Sequence, residues 1–267
     1  MPKPGISTIA LRRYDVHTAI RMAADAGFVG VEVWGRPEHI SEPVDWKHVE
    51  SIAQTIQEVG IEASIYGSYV NVGDDSWQSK AEESFCVCGV LDAPIMRIWA
   101  GNKEPQDADE AFWEEMVYRQ KTFCEMAAEA NVILAVEMHG GTLASTIPGN
   151  ERLLAEVDHP ALKLNFQVTD HEPNYLDRAL PTLGPHVVNI HAQNHRKVVK
   201  DGKESHELTL IEKGEFDYAE LLKRLKEYRF SGYIEVEFLK GDFGGNEAEM
   251  LESLKKDAAY LRRICGL

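Results

Sequence analysis

The chain has 267 residues, enough for one large domain or two small ones, and α/β barrels often occupy about 250 residues as a single unit. Hydrophobic residues make up 44% and charged residues 27%, an ordinary balance for a soluble globular protein that can bury a core without staples. The 28 basic residues face 44 acidic ones, and the resulting formal charge of −16 repels phosphate backbones, which argues against nucleic acid as a partner.

No apolar run approaches the roughly 18 residues of a membrane span, and the opening MPKPGISTIALRRYDV lacks an apolar signal core. The expected location is therefore the cytoplasm, with no membrane contact. The four cysteines, Cys86, Cys88, Cys124 and Cys265, are expected to be reduced, buried thiols. Cys86 and Cys88 fall in a helical stretch, where residues two apart diverge too far to chelate together.

In chain order, short apolar runs alternate with amphipathic helical patterns. The expected strands are Ile6–Leu11, Val29–Trp34, Ile61–Tyr66, Ile95–Ala100, Ile133–His139, Leu162–Val168, Val187–Gln193 and Tyr233–Phe238. Between them lie helical stretches such as DVHTAIRMAADAG, DWKHVESIAQTIQEVG, DEAFWEEMVYRQKTFCEMAAEA and DYAELLKRLKEYRF. Several open on Asp at an N-cap and two close on Gly. NERLLAEVD and NYLDRALPTLG are shorter but periodic, and EAEMLESLKKDAAYLRRI closes the chain. Eight strands alternating with eight helices predict a single (β/α)8 TIM barrel over residues 1–267, with an open doubly wound sheet as the alternative.

Alternation within the strands supports the barrel separately. Val29, Val31 and Val33 oppose Gly30, Glu32 and Trp34, and Ile61, Ala63 and Ile65 oppose Glu62, Ser64 and Tyr66. Leu134 and Val136 oppose Ala135 and Glu137, Leu164 and Phe166 oppose Asn165 and Gln167, and Ile190 opposes His191. Ile234 and Val236 oppose Glu235 and Glu237. The apolar face of each strand belongs under the helices. The polar face then lines the lumen and climbs to the mouth at the strand C-termini, where such barrels build their active sites.

The last inward residues of strands five to eight are Glu137 (with His139 beyond it), Gln167, His191 and Glu237. Strands about 4.8 Å apart set these side chains in an arc across half the mouth. Two carboxylates, an imidazole and an amide oxygen suit a divalent ion such as Mn²⁺, Mg²⁺, Co²⁺ or Zn²⁺. A structural ion network explains any one of them alone, but the joint pattern favours metal, since buried carboxylates are costly unless paired or ligated.

VILAVEMHGG, VVNIHAQN and GYIEVEF, with AADAGFVGVEVW near the start and SLKKDAAYLRRI at the end, resemble the xylose-isomerase-like sugar isomerases and epimerases. That superfamily also holds dehydratases and DNA-repair endonucleases. The resemblance implies a metal held by Glu137, Gln167, His191 and Glu237, with Gln167 standing where the family usually has Asp. It further implies a small-molecule sugar or polyol substrate and proton transfer through a metal-stabilised enediolate, with Glu137 and Glu237 as the catalytic acid–base pair. Isomerisation or epimerisation is the leading outcome, and dehydration on the same site or a non-catalytic sugar-binding barrel is the alternative. An endonuclease is disfavoured by the charge and by IYGSYVNV, which offers no histidine ligand, although Glu32 and His39 stand nearby.

Further candidate substrate contacts are Glu32, Tyr66, Arg97, Trp99, His139, Asp170, Asn194 and Arg196. Glu235, one step deeper than Glu237, reads as a structural lumen charge that Lys163 could pair. The long, charged segment His195–Tyr218 reads as a lid or a solvated insertion. The oligomeric state is open, a homo-oligomer included.

Overall fold

The computed structural model describes residues 1–169, 174–200, 203–243 and 245–267. Eight parallel strands close into a barrel: β1 (Lys3–Ser7), β2 (Gly30–Trp34), β3 (Glu62–Asn71), β4 (Ile95–Trp99), β5 (Ile133–Glu137), β6 (Leu162–Phe166), β7 (Val187–Ala192) and β10 (Tyr233–Val236). The remaining two, β8 (Asn194–Lys200) and β9 (Lys203–Thr209), form an antiparallel hairpin outside the wall. With β10 pairing both β7 and β1, the barrel wall has no open edge, and the doubly wound alternative is excluded. The fold is a single-domain TIM barrel.

The helices are α1 (Val16–Ala26), α2 (Trp46–Val59), α3 (Trp77–Leu91), α4 (Glu110–Glu129), α5 (Ile147–Val157), α6 (Tyr175–Leu183), α7 (Tyr218–Leu225) and α8 (Glu247–Cys265). Four start as their sequences dictate, with Asp15, Asp45, Asp109 and Asp217 accepting N–H groups of the first turn. Gly27 and Gly60 end α1 and α2 in the left-handed conformation. α3 carries both neighbouring cysteines and separates them: Cys88 is buried, whereas Cys86 is exposed, contrary to its expected burial. The core between wall and helices is built from Ile6, Val31, Ile98, Leu134, Val136, Leu164, Ile190 and Ile234, all without solvent exposure.

Two strands depart from the expected pattern. β1 lies at Lys3–Ser7 rather than Ile6–Leu11, and Thr8–Leu11 turns into a short 3₁₀ segment. Pairing with β2 and β10 overrides the poor strand propensity of Pro4 and Gly5. The Thr8 hydroxyl is meanwhile drawn off to Trp34 N–H and to His39 Nδ1, 2.9 and 2.8 Å away. In β3 the register slips: Val31 pairs Ala63, but Glu32 pairs Ile65. This bulge inverts the alternation beyond it, so the residue that comes beside Arg97 is Gly67, not Tyr66.

Candidate metal and catalytic site

Buried polar side chains fill the lumen in layers. Lowest, Glu235 accepts from Ser64 Oγ at 2.5 Å and from Asn189 Nδ2 at 2.8 Å, and the same Asn189 nitrogen donates to Asn165 Oδ1. These are the partners of Glu235 among the described residues, and the expected pairing with Lys163 is not among them. Above, Glu32 accepts from Arg97 Nε at 2.9 Å, and its second oxygen stands 2.5 Å from His191 Nε2. Arg97 Nη1 donates to Glu137 Oε2 at 2.6 Å, and Trp99 Nε1 donates to the same oxygen at 2.7 Å. His191 Nδ1 faces Glu137 Oε1 at 3.4 Å and Glu237 Oε1 at 3.7 Å.

Burial and charge divide the titratable groups. Burial alone would raise the carboxyls of Glu32 and Glu137, but His191 and Arg97 outweigh it and hold both below the usual carboxylate range. Burial opposes the charge on His191, yet Glu32 and Glu237 drive its pKa well up. Glu235 and Glu237 lack an adjacent guanidinium, and burial pushes them up to about 8 and about 7, with Glu32 and Glu137 respectively adding to the rise.

Glu137, His191 and Glu237 present ligand atoms within 4.8 Å of one another. His191 Nδ1, Glu237 Oε2 and Gln167 Oε1 are buried and without a hydrogen-bond partner among the described residues. Unpartnered buried atoms of this kind demand an explanation, and two carboxylates, an imidazole and an amide oxygen are the donor set a divalent cation takes. The residues fit the ion. His39, offered by its position as an endonuclease ligand, has one ring nitrogen on Thr8 and the other on Tyr14 O at 3.2 Å, so it is spent in a structural relay.

Beside the cluster a cavity of about 400 Å³ is lined by Glu104, Met138, His139, Gly140, Ser145, Gln167, Val168 and Thr169. The His139 ring stacks on Trp99 with centroids 4.7 Å apart, and its Nδ1 is 2.7 Å from Gly140 O. Nδ1 therefore carries a proton, and Nε2 is the atom left for the cavity. Glu104 reaches over from the β4–α4 connection to accept Gly141 N–H at 2.5 Å and the Ser145 hydroxyl, and so braces the loop that carries His139.

The expected contacts divide accordingly. Arg97, Trp99 and His139 join the cluster or its rim; Glu32 joins the cluster too but, without exposed surface, is not the substrate contact expected. Tyr66 does not: the bulge turns it outward into a surface cleft with Gly35, Ile40 and Ser84. Tyr69 stands nearer instead, accepting Trp34 Nε1–H at 2.7 Å with its ring 5.0 Å from the Arg97 guanidinium. Asn194 is also corrected. Its amide donates to Ile211 O and Phe216 O, and its oxygen accepts from His195 and Phe216, so every polar atom is engaged in stapling the hairpin root. Arg196 sits half-exposed on the hairpin, 3.7 Å from Glu207. Asp170 lies outside the described residues. The segment expected as a lid is mostly the hairpin β8–β9, and Lys203–His206 are exposed. Glu104 and Tyr69 escaped the sequence reading, one hidden in a loop and the other behind the bulge. The EPQD around Glu104 offered no periodic signal, whereas Gly67 within an apolar strand hinted at a bulge or a close approach.

A closed (β/α)8 barrel with an acidic, histidine-bearing cluster at the strand C-termini defines a class, and sequence comparison places the chain within it. The sequence profile of the xylose isomerase-like TIM barrel family matches residues 20–264, and the chain belongs to that family. A 3-dehydroshikimate dehydratase of Bacillus anthracis is 27% identical over 151 residues, spanning 55% of this chain and about half, 54%, of that relative's length. Among solved structures, the probable 3-DHS dehydratase involved in petrobactin synthesis in the same organism superposes with a TM-score of 0.78 at 21% identity, covering 97% of this chain and 98% of that one. A xylose isomerase-like protein of Mycobacterium smegmatis in complex with magnesium gives 0.77 at 13% identity, over 98% and 96% of the two chains. D-Allulose 3-epimerase of Methylomonas sp. gives 0.72 at 16%, over 98% of both. These likenesses establish the fold; named relatives include dehydratases and epimerases. Among the described residues no helix is long and apolar enough to cross a membrane.

Proposed function

We propose that the chain is a divalent-metal-dependent lyase that dehydrates a polyhydroxylated carbonyl compound, the class that takes in sugars and polyol-derived ketones. One observation carries the choice of dehydration over epimerisation. Glu137 Oε2 is taken up by Arg97 and Trp99 at 2.6 and 2.7 Å, and Oε1 turns towards His191. Epimerisation between two carboxylates needs both to exchange protons with the substrate, and Glu137 is a fixed anion without a free oxygen for that task. The dehydratase relatives support the same reading.

Glu137, Gln167, His191 and Glu237 would hold the ion. When bound, it supplies Lewis-acid stabilisation of the negative charge that develops on a carbonyl oxygen as the neighbouring carbon loses its proton. Glu237, whose Oε2 is unpartnered among the described residues, takes that proton. The electron pair of the broken C–H bond forms the new C=C bond as the C–O bond one carbon further on breaks. Glu237 passes that proton to the departing hydroxyl, and water leaves, while His139 Nε2, on the cavity wall, accepts a hydrogen bond from the substrate. The sum is loss of one water, with no oxidant or reductant. Trp99 orients His139 by stacking, and the hydroxyl and amide groups of Ser145, Thr169 and Gln167 line the cavity that receives the remaining hydroxyls.

The test is elemental analysis of the purified protein, followed by incubation with polyhydroxy ketones in deuterium oxide. Products lighter by one water, formed only in the presence of the ion, are expected. Deuterated epimers with an intact skeleton would instead restore the epimerase reading with Glu137 as an active partner. No exchange after Mn²⁺ addition would leave a sugar-binding barrel.

A further inference from the structure

The lumen beneath the proposed ligands contains an arrangement that proton transfer does not use. Glu32 has no solvent-exposed surface and cannot meet substrate. One of its oxygens accepts from Arg97 and the other from His191, while Arg97 continues to Glu137, and Glu137 Oε1 returns to His191 at 3.4 Å. Four side chains from β2, β4, β5 and β7 thus close a ring.

Each member of the ring fixes the next. A carboxylate oxygen 2.5 Å from His191 Nε2 requires the proton on that nitrogen. Nδ1, once a cation displaces its proton, is then the one ring atom with a lone pair to offer, and it makes no hydrogen bond among the described residues and stands between Glu137 and Glu237. Arg97, held from behind by Glu32, in turn occupies Glu137 Oε2, which leaves Oε1 as that carboxylate's ligand atom.

We propose that Glu32 is a positioning residue: through His191 it selects the ligating nitrogen, and through Arg97 it restricts Glu137 to one-oxygen coordination. The proposal rests on the metal-site reading above. The bulge in β3 makes room for the ring. A Cβ at Gly67 would fall 2.1 Å from Glu32 Oε1 and 3.1 Å from Arg97 Nη2, so the slip that removes Tyr66 from the lumen also puts the required glycine there.

Glu32→Gln separates the ring from mere packing. An amide of the same size has one acceptor oxygen for two donors, Arg97 Nε–H and His191 Nε2–H, and it presents a donor of its own to one of them. Calorimetric titration of the full chain with Mn²⁺ should show affinity weaker by roughly 10–100-fold, the usual cost of losing such an outer partner. Proton NMR of the ion-free wild type should contain a far-downfield His191 ring N–H, the mark of a short bond to carboxylate, and that resonance should vanish in Glu32→Gln. Gly67→Ala, which displaces Glu32 without changing its chemistry, should weaken Mn²⁺ binding in the same direction. Persistence of the resonance in Glu32→Gln, or Mn²⁺ affinity within about twofold of wild type in both folded variants, would overturn the proposal. A wild type that carries the resonance but binds no divalent ion would refute the metal-site reading and leave the His191–Glu32 bond standing.

Discussion

Asp257 on α8 offers a prediction whose sign and size both follow from the structure. Its carboxyl is almost fully buried, with Oδ1 accepting Ile211 N–H at 2.9 Å and Oδ2 without a hydrogen-bond partner among the described residues. Burial pushes its pKa from 3.8 up to about 7, against the pull of the Ile211 bond, and the nearby Glu212 adds to the rise. Because the folded state holds the proton more tightly than the unfolded chain, this group's contribution to stability is complete below the unfolded pKa. It is lost as pH rises through the folded one. Three pKa units at 1.36 kcal/mol each put the whole loss at about 4 kcal/mol, of which about 3 kcal/mol falls between about pH 5 and about pH 8. Asn at this position keeps an oxygen for Ile211 and cannot ionise. Urea unfolding of wild type and Asp257→Asn across this range should show their stability difference shifting by about 3 kcal/mol in favour of the variant as pH rises. A difference that stays constant with pH would mean that Asp257 is ionised in the fold like any exposed carboxylate, and the burial argument would fail.

Trp99→Phe keeps the stacking partner of His139 but deletes one of the two donors to Glu137 Oε2; hydrogen bonds to charged groups are worth about 1.5–3 kcal/mol, so kcat/KM should fall roughly tenfold or more while the melting temperature changes little. Gln167→Asp adds a negative charge to the proposed ligand set, and calorimetry should show tighter Mn²⁺ binding; unchanged affinity would place the ion elsewhere. Asn194→Ala should leave the Ile211 and Phe216 backbone groups unpaired at the hairpin root and cost about 2–4 kcal/mol, since unmet buried polar groups each cost about 1–3 kcal/mol. Chemical denaturation measures the loss, and proteolysis should move to the hairpin.

The barrel was legible because its signal is repeated. Six of the eight expected strands carry the same apolar–polar alternation, and a misjudged end, as at β1, does not disturb the count. Glu137, His191 and Glu237 were legible for the same reason, as the last inward residues of their strands. What the sequence concealed were the features that break period two. A single slipped residue in β3 exchanged Tyr66 for Gly67 and brought Tyr69 near the cluster, because the face of every later residue depends on the register before it. Asn194 follows a readable strand, but its partners lie 17 and 22 residues away in a connection without periodicity. Glu235 shows the limit of pairing by charge alone: Lys163 shares the polar alternation of its strand, yet the carboxyl is met by a serine and an asparagine.

The ring around Arg97 gives Gln167 a physical setting. Glu32 and Arg97 cancel, and Glu235 is held towards its neutral form by burial. With a cation displacing their protons, Glu137 and Glu237 supply two negative charges to the proposed ligand set, and Gln167 and His191 supply none. A divalent cation balances that set, so the loaded lumen carries no net charge and no uncompensated ion has to be kept out of water. An aspartate at position 167 would bind the cation more tightly but leave one net negative charge in the same closed space. That charge would oppose the negative charge created when a substrate loses a proton there. Replacing the carboxylate with an amide thus exchanges affinity for a stronger local positive field, and the two effects separate experimentally: Gln167→Asp should lower the Kd for the ion and lower kcat together.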